Sequence, residues 1–288
     1  MNIPTYKKYG YGVMLFCLKS ENRKEDVEVL NIAVNNVSFS YDEKLILSDL
    51  TLNVKAGAFV CLLGPSGCGK STLLRLLAGL EKQGEGEILI DDKKIESAGL
   101  QRGVVFQDYG LFPWMTAGEN ITIALKQRYP EMKREERKNK ALEKMFDVGL
   151  DESVFDKLPK ELSGGMKQRC AIARAFGIDP PVLLMDEPFA ALDAVTRAKL
   201  QDLVLNLWKQ EKNRKTVFFV THDVDEALYL ATDIYVLGQA PSKVIAQYQL
   251  GEEQKVRREN MYENKNVMEL RNQLIKIIND EIQLKVQC

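Results

Sequence analysis

Histidine is almost absent from this 288-residue sequence: one stands at position 222, so chemistry that needs an imidazole has a single candidate. The five cysteines, Cys17, Cys61, Cys68, Cys170 and Cys288, are odd in number, scattered and without a C-x-x-C spacing. They exclude a disulfide scaffold and a cysteine-based zinc site, and they suit a reducing compartment. Long apolar runs are missing too. The stretch VMLFCL at residues 13–18, behind Lys7 and Lys8, falls far short of the roughly 20 residues that span a bilayer. No small-x-small cleavage pattern follows it, so it is not read as a signal peptide, and any membrane connection is expected to come through a partner. Nor is there an excess of either charge. Lys+Arg 40 against Asp+Glu 41 leave a formal net charge of -1, which excludes the global basic bias of a protein that coats nucleic acid. Internal repeats and low-complexity blocks are also lacking.

What the sequence does contain is a succession of strand and helix patterns. Residues 27–39 and 45–54 alternate apolar and polar, Lys55, Ala56 and Gly57 supply a turn, and the run FVCLL at 59–63 reads as a core strand by its flanks. Residues 71–80 continue as a helix with Leu73, Leu74, Leu76, Leu77 and Leu80 inward, followed by the hairpin-like EILIDDKKI. Residues 119–158 are helical in pattern. Their charge-dense stretch, 126–144, interleaves acids and bases and marks a solvated helix face rather than a nucleic-acid patch. Strand character returns at 182–185 and 217–220, with helical stretches between and after. Such alternation predicts an α/β fold with a largely parallel sheet covered by helices. The expected division is an N-terminal extension over 1–26, a main domain over 27–250 with a helical subdomain at about 109–160, and a helical tail over 251–288. In the tail, Val267, Leu270, Leu274, Ile277, Ile278 and Ile282 recur at helical spacing. The stripe is narrow and the charges are mixed, which predicts a packed accessory helix rather than a membrane binder.

Residues 64–72 read GPSGCGKST, a full match to G-x-x-x-x-G-K-[ST] between a predicted strand and a predicted helix, the context that a phosphate-binding loop requires. Its glycines, Gly64, Gly67 and Gly69, let the chain wrap closely, so that backbone N–H groups converge on phosphate oxygens at a helix N-terminus. The whole run, with Pro65, Ser66, Cys68 and Thr72, is expected at the nucleotide. Lys70 supplies a point charge to the β- and γ-phosphates and Ser71 a hydroxyl to Mg²⁺. ATP and Mg²⁺ are therefore the expected ligands. Cys68 fills a variable position of the motif and serves as a spacer. Further on, VLLMDEP at 182–188 is an apolar strand ending in two adjacent carboxylates. Period-two geometry aims them in different directions, so Asp186 is assigned to the metal and Glu187 to the attacking water.

The segment LSGGMKQR at 162–169, just upstream of that strand, makes the resemblance specific: the chain resembles the ABC ATPase family. The resemblance covers roughly residues 27–250. It implies the P-loop NTPase fold of the ABC type, with a mainly parallel core sheet flanked by helices, an antiparallel β part and an inserted helical subdomain. It also implies a head-to-tail homodimer or pseudo-dimer, in which Ser163, Gly164 and Gly165 of one subunit cap the γ-phosphate held by the other. A Ser-Gly-Gly turn opening a helix is physically suited to that task. Four further positions carry roles implied by the likeness. Tyr41 is the aromatic that stacks on adenine, with a core tyrosine as the alternative. Gln107 touches Mg²⁺ and water and senses a membrane partner. Asp193 lies in the loop that crosses the dimer interface, and His222 contacts the γ-phosphate.

Within the family, GVVFQDYGLFPWMTAGENI, DEPFAALDAVTRAKLQ and VTHDVDEALYLATDIYVLG resemble the importer ATPases for nitrate, sulfonate and taurine, with Phe112, Pro113 and Trp114 carrying much of the likeness. Related ATPases serve thiamine precursors and other nutrients, so the solute stays open. The likeness implies a peripheral subunit on the cytoplasmic face of the membrane, transmembrane permease subunits, an extracytoplasmic solute-binding protein and no nucleic acid. The opposing reading is a soluble ABC ATPase acting on nucleic acid or ribosomes; such proteins commonly pair two cassettes or insert coiled coils or zinc modules, which are not seen here. A regulatory subunit without turnover would be expected to lack Glu187 or His222. The segment YGLFPWM at 109–115 is expected at the surface as the permease dock, since Pro113 interrupts any helix that could bury Leu111, Phe112, Trp114 and Met115 together. Cover for the seam between sheet and helices is the competing reading.

Overall fold

The computed structural model describes residues 30–210, 214–250 and 258–286. The expected extension over 1–26, with Cys17, and the last cysteine, Cys288, lie outside the described residues. In chain order the elements are β1 (Ile32–Tyr41), β2 (Lys44–Val54), β3 (Phe59–Leu63), α1 (Lys70–Ala78), β4 (Glu85–Ile90), β5 (Lys93–Lys94) and β6 (Arg102–Val105). Then follow α2 (Ala117–Arg128), α3 (Arg134–Asp147), α4 (Gly164–Gly177), β7 (Val182–Asp186), α5 (Ala194–Gln210), β8 (Thr216–Val220), α6 (Val224–Leu230), β9 (Asp233–Leu237), β10 (Val244–Gln249) and α7 (Lys265–Val286).

The strands form two sheets, one of order β2-β1-β4-β5 and one of order β10-β9-β3-β8-β7-β6. The first is antiparallel throughout. The β4–β5 turn is made by Asp91 and Asp92, both at positive φ, the pairing of left-handed residues that a two-residue hairpin turn demands. In the second sheet β9, β3, β8, β7 and β6 run parallel, and β10 closes one edge antiparallel to β9. Period-two geometry divides the core. Phe59, Cys61 and Leu63 of β3 face one apolar cluster together with Leu183, Met185, Val217 and Phe219. Val60 and Leu62 face the other, with Leu184, Phe218 and the inner leucines of α1. The antiparallel sheet and α1 thus cover one face of the parallel sheet, and the remaining helices cover the other.

Helix α2 opens with a reciprocal capping box, Thr116 accepting from the Glu119 N–H and Glu119 from that of Thr116. Helices α2 and α3 pack on α4 and carry the middle of the chain, and α3 turns most of its charge to solvent. The tail helix α7 buries Val267, Leu270 and Leu274 in the main core, while Ile282 is exposed. Among the described residues no helix is long and apolar enough to cross a membrane.

Candidate functional site

Parallel strands put all their carboxyl ends on one edge of the sheet, and ligands of such sheets bind there. The ends of β3, β8, β7 and β6 lead into the 64–72 loop, Thr221 and His222, Glu187, and Gln107 respectively. The loop after β3 depends on glycine in a checkable way. At Gly64 (φ +150°) a Cβ would sit 2.5 Å from the Leu237 carbonyl oxygen, and at Gly69 (φ +102°) 2.8 Å from Leu47 Cδ2. Only a residue without a side chain fits either place. Lys70 is buried, its ammonium donating to the carbonyl oxygens of Gly64 at 2.9 Å and Pro65 at 3.0 Å. It therefore stands across the loop that it follows. Cys68 is buried beside it, and burial raises its thiol pKa, which fits the spacer reading and keeps the sulfur unreactive.

The Ser71 hydroxyl donates to Asp186 Oδ1 at 2.8 Å across 115 residues of sequence. Strand order explains the meeting, since β3 and β7 flank β8. Burial raises the Asp186 carboxyl above its ordinary range, with the Glu187 charge adding to the rise and the Ser71 hydrogen bond opposing it. The divergence of the two carboxylates has a different cause from the one expected. Asp186 is the last residue of β7, and Glu187 has already left the strand in the left-handed region at φ +42°. Strand alternation therefore does not set its direction; the turn does. A non-glycine residue held there carries about 1–3 kcal/mol of strain, and the Glu187 N–H bond to the Val220 carbonyl (3.1 Å) anchors the turn. The turn brings Glu187 Oε2 within 3.3 Å of His222 Nδ1.

The other expected residues lie at varying distances from this centre. Gln107 is exposed in the turn after β6. Tyr41, at the end of β1, is 38% exposed and edge-on to Phe39 with centroids 4.7 Å apart. Asp193 caps α5, its Oδ1 accepting the Thr196 N–H at 2.9 Å. Ser163 caps α4 through the Met166 N–H, so the helix opens at Gly164. The closest surroundings of Gly164 and Gly165 are Tyr109, Leu192 and Thr196, whereas those of Gly64 and Gly69 are Cys68, Leu237, Ile46 and Leu47. The fold thus places the Ser163–Gly165 turn beside the Asp193 loop.

The 109–115 segment departs from expectation. Leu111 joins the main core and Phe112 is only 8% exposed, while Trp114 is 67% exposed. The reason is Asn120, a buried residue of α2. Its side chain accepts from the Phe112 N–H and donates to the carbonyls of Phe112, Met115 and Thr116, folding the segment back onto the helices. Arg174 of α4 likewise holds the carbonyls of Gly110 and Tyr109. Sequence reasoning missed Asn120, Arg174 and Glu226. The available signal for Asn120 and Glu226 was a polar residue at a position where helical periodicity calls for burial.

A family model for the ABC transporter matches residues 47–190. A protein of Brucella abortus biovar 1, named only as an ATP-binding protein, is 49% identical over 213 residues, 74% of this chain and 80% of that protein. The aliphatic sulfonates import ATP-binding protein of Bacillus cereus is 45% identical over 222 residues, 75% of this chain and 84% of that protein. Among solved structures, a dimeric ATP-binding cassette in a post-hydrolysis state with ADP and phosphate superposes with a TM-score of 0.68 at 36% identity, covering 76% of this chain and 99% of its own. The cbiO1 subunit from Clostridium perfringens, part of an ABC transporter complex, gives 0.67 at 27% identity, covering 77% and 89%. With a phosphate-binding loop, a serine–aspartate pair and a glutamate–histidine pair along one sheet edge, the chain belongs to the ABC transporter family as an ATP-hydrolysing, ATP-binding subunit.

Proposed function

We propose that this chain powers uptake of a small sulfonate-like solute from the cytoplasmic face of the membrane, as one of two ATPase subunits bound to permease subunits that receive solute from an extracytoplasmic binding protein. The observation that carries the catalytic half is the pair of contacts at the sheet edge, Ser71 to Asp186 at 2.8 Å and Glu187 to His222 at 3.3 Å. The first pair offers a hydroxyl and a carboxylate, the hard oxygen donors that Mg²⁺ shares with substrate phosphates and water. When bound, Mg²⁺ neutralises charge on the phosphate oxygens. Gln107 adds an amide oxygen from the neighbouring turn. The main domain over 27–250 does this work, and α7 packs against its core through Val267, Leu270 and Leu274.

Each side chain then has a defined task in hydrolysis. Lys70 turns its ammonium from the loop carbonyls to the β- and γ-phosphates, exchanging carbonyl partners for fully charged ones. Glu187 takes the proton of the attacking water as the water oxygen bonds to the γ-phosphorus and the bond to ADP breaks. His222 donates to a γ-phosphate oxygen and holds Glu187 in line. Tyr41 stacks on adenine. Ser163, Gly164 and Gly165 of a second copy complete the site, and Asp193 lies along the contact between copies. The dimeric state of the ADP- and phosphate-bound cassette supports this arrangement.

Import and solute class rest on the 45% identity with the aliphatic sulfonates import protein. The test is uptake of labelled alkanesulfonate, taurine and nitrate in cells with and without the gene, restored by the wild-type chain and not by Lys70→Ala. Loss of alkanesulfonate uptake supports the reading; unchanged uptake of all three refutes the solute class while leaving ATP hydrolysis standing.

A further inference from the structure

His222 is 61% exposed at its side chain, so packing around the ring does not define where it stands. Its backbone neighbours do. Thr221, immediately before it, is buried, and its hydroxyl donates to Glu226 Oε2 at 2.5 Å while accepting the Asp223 N–H at 3.0 Å. The other carboxylate oxygen of Glu226 accepts from Gln201 Nε2 of α5 at 2.8 Å. Glu226 is 7% exposed. One turn earlier on α5, Arg197 donates to the Leu192 carbonyl at 3.2 Å and faces Asp223 Oδ2 at 3.8 Å. Residues 197 and 201 share a helix face, so α5 grips the chain on both sides of His222, and it does so just after the Asp193 loop.

We infer that Glu226 is a positioning residue for ATP hydrolysis: through Thr221 it holds the strand end that carries His222, and through Gln201 it ties that strand end to α5. A buried carboxylate is a costly way to fill space, since an apolar side chain would do so without desolvating a charge. What only a polar group can do here is accept two directed hydrogen bonds at once. Burial raises the Glu226 carboxyl above its ordinary range, against the hydrogen bonds from Thr221 and Gln201. The inference rests on the proposed catalytic role of His222.

Because the chain has one histidine, its Cε1–H gives a single NMR signal in untagged protein. Glu226→Leu and Thr221→Val break the same hydrogen bond from opposite ends. Both are expected to displace that signal and to lower kcat per folded molecule by roughly tenfold to a hundredfold, the scale of a misplaced catalytic group, with KM for ATP unchanged. Thr221→Ser, which keeps the bond, is expected to retain signal and rate. If Glu226→Leu does not fold, the near-isosteric Thr221→Val carries the test. An unmoved histidine signal in Thr221→Val overturns the inference, whatever happens to the rate. So does an unchanged kcat. His222→Ala separates the two levels: full turnover in that variant refutes the role of His222 itself, whereas lost turnover there beside normal turnover in Thr221→Val removes only Glu226.

Discussion

At the scale of single residues, the strained turn at Glu187 links local backbone to chemistry. Its positive φ swings the carboxylate away from Asp186 and toward His222, so two adjacent acids acquire different surroundings. Replacing Glu187 by Gln keeps the turn and removes the proposed base. Phosphate release is expected to fall by roughly 10²- to 10⁴-fold, the usual effect of a lost general base, while nucleotide affinity measured by equilibrium binding stays near wild type. Near-normal release would refute the assignment. Glu226 gives a pH prediction. Its folded pKa is raised by burial, so its contribution to stability is complete below the ordinary glutamate value and is lost as pH rises through the raised one. Gln does not titrate. The melting temperature of Glu226→Gln relative to wild type should therefore climb as pH rises above the ordinary glutamate value; a difference that stays flat or declines there contradicts the burial argument.

At the scale of elements, α2 does more than supply an apolar face. Asn120 sits on its inner side and satisfies four backbone groups of residues 112–116, so the helix organises the segment before it. Asn120→Leu takes the partner from the Phe112 N–H and the Met115 C=O, while the Phe112 and Thr116 carbonyls keep backbone donors. It is expected to destabilise the fold by about 1–3 kcal/mol, read as a lowered midpoint in urea, and to raise protease cutting near 109–115. A midpoint equal to wild type would mean that water satisfies those groups and that Asn120 is dispensable. This pinning also explains why only part of the expected docking segment is available. Pro113 does interrupt regular structure, as anticipated, but Leu111 and Phe112 turn inward and Trp114 alone among the aromatics there stands clear, its ring 5.5 Å from that of Phe112.

At the scale of the whole molecule, the Ser163–Gly165 turn lies beside the Asp193 loop, and the proposed head-to-tail pairing, in which a second copy completes each site, can be tested directly. Glu187→Gln with ATP and Mg²⁺ is expected to run as a dimer in light scattering and to return to monomer with ADP; a monomer under both conditions would argue against the shared site. Within the proposed docking segment, Pro113 and Trp114 are the exposed residues. Trp114→Asp is expected to fold and hydrolyse ATP as wild type does but to leave the membrane fraction when co-expressed with its permease. Retention on the membrane would move the dock elsewhere.

The sequence by itself determined the chemistry, because each reactive loop is contiguous and its behaviour is set by neighbours a few residues away. GPSGCGKST needs its own glycines to curl, and LSGG needs only its serine to cap the helix that follows. Strand patterns at 59–63, 182–185 and 217–220 were legible for the same reason, being apolar runs bounded by turns. The short β6 and the edge pair β9 and β10 were not anticipated: β6 is only RGVV, opening on a charge and a glycine, and β10, VIAQYQ, has no fully buried residue to mark it as a core strand. Only the tertiary structure decided which loops meet. Ser71 reaches Asp186, and Glu226 reaches Gln201, because strand order and helix packing set those distances. Spacing along the chain carries no record of either. The burial of Phe112 was decided in the same way, by an asparagine eight residues on whose partners exist only once α2 has docked.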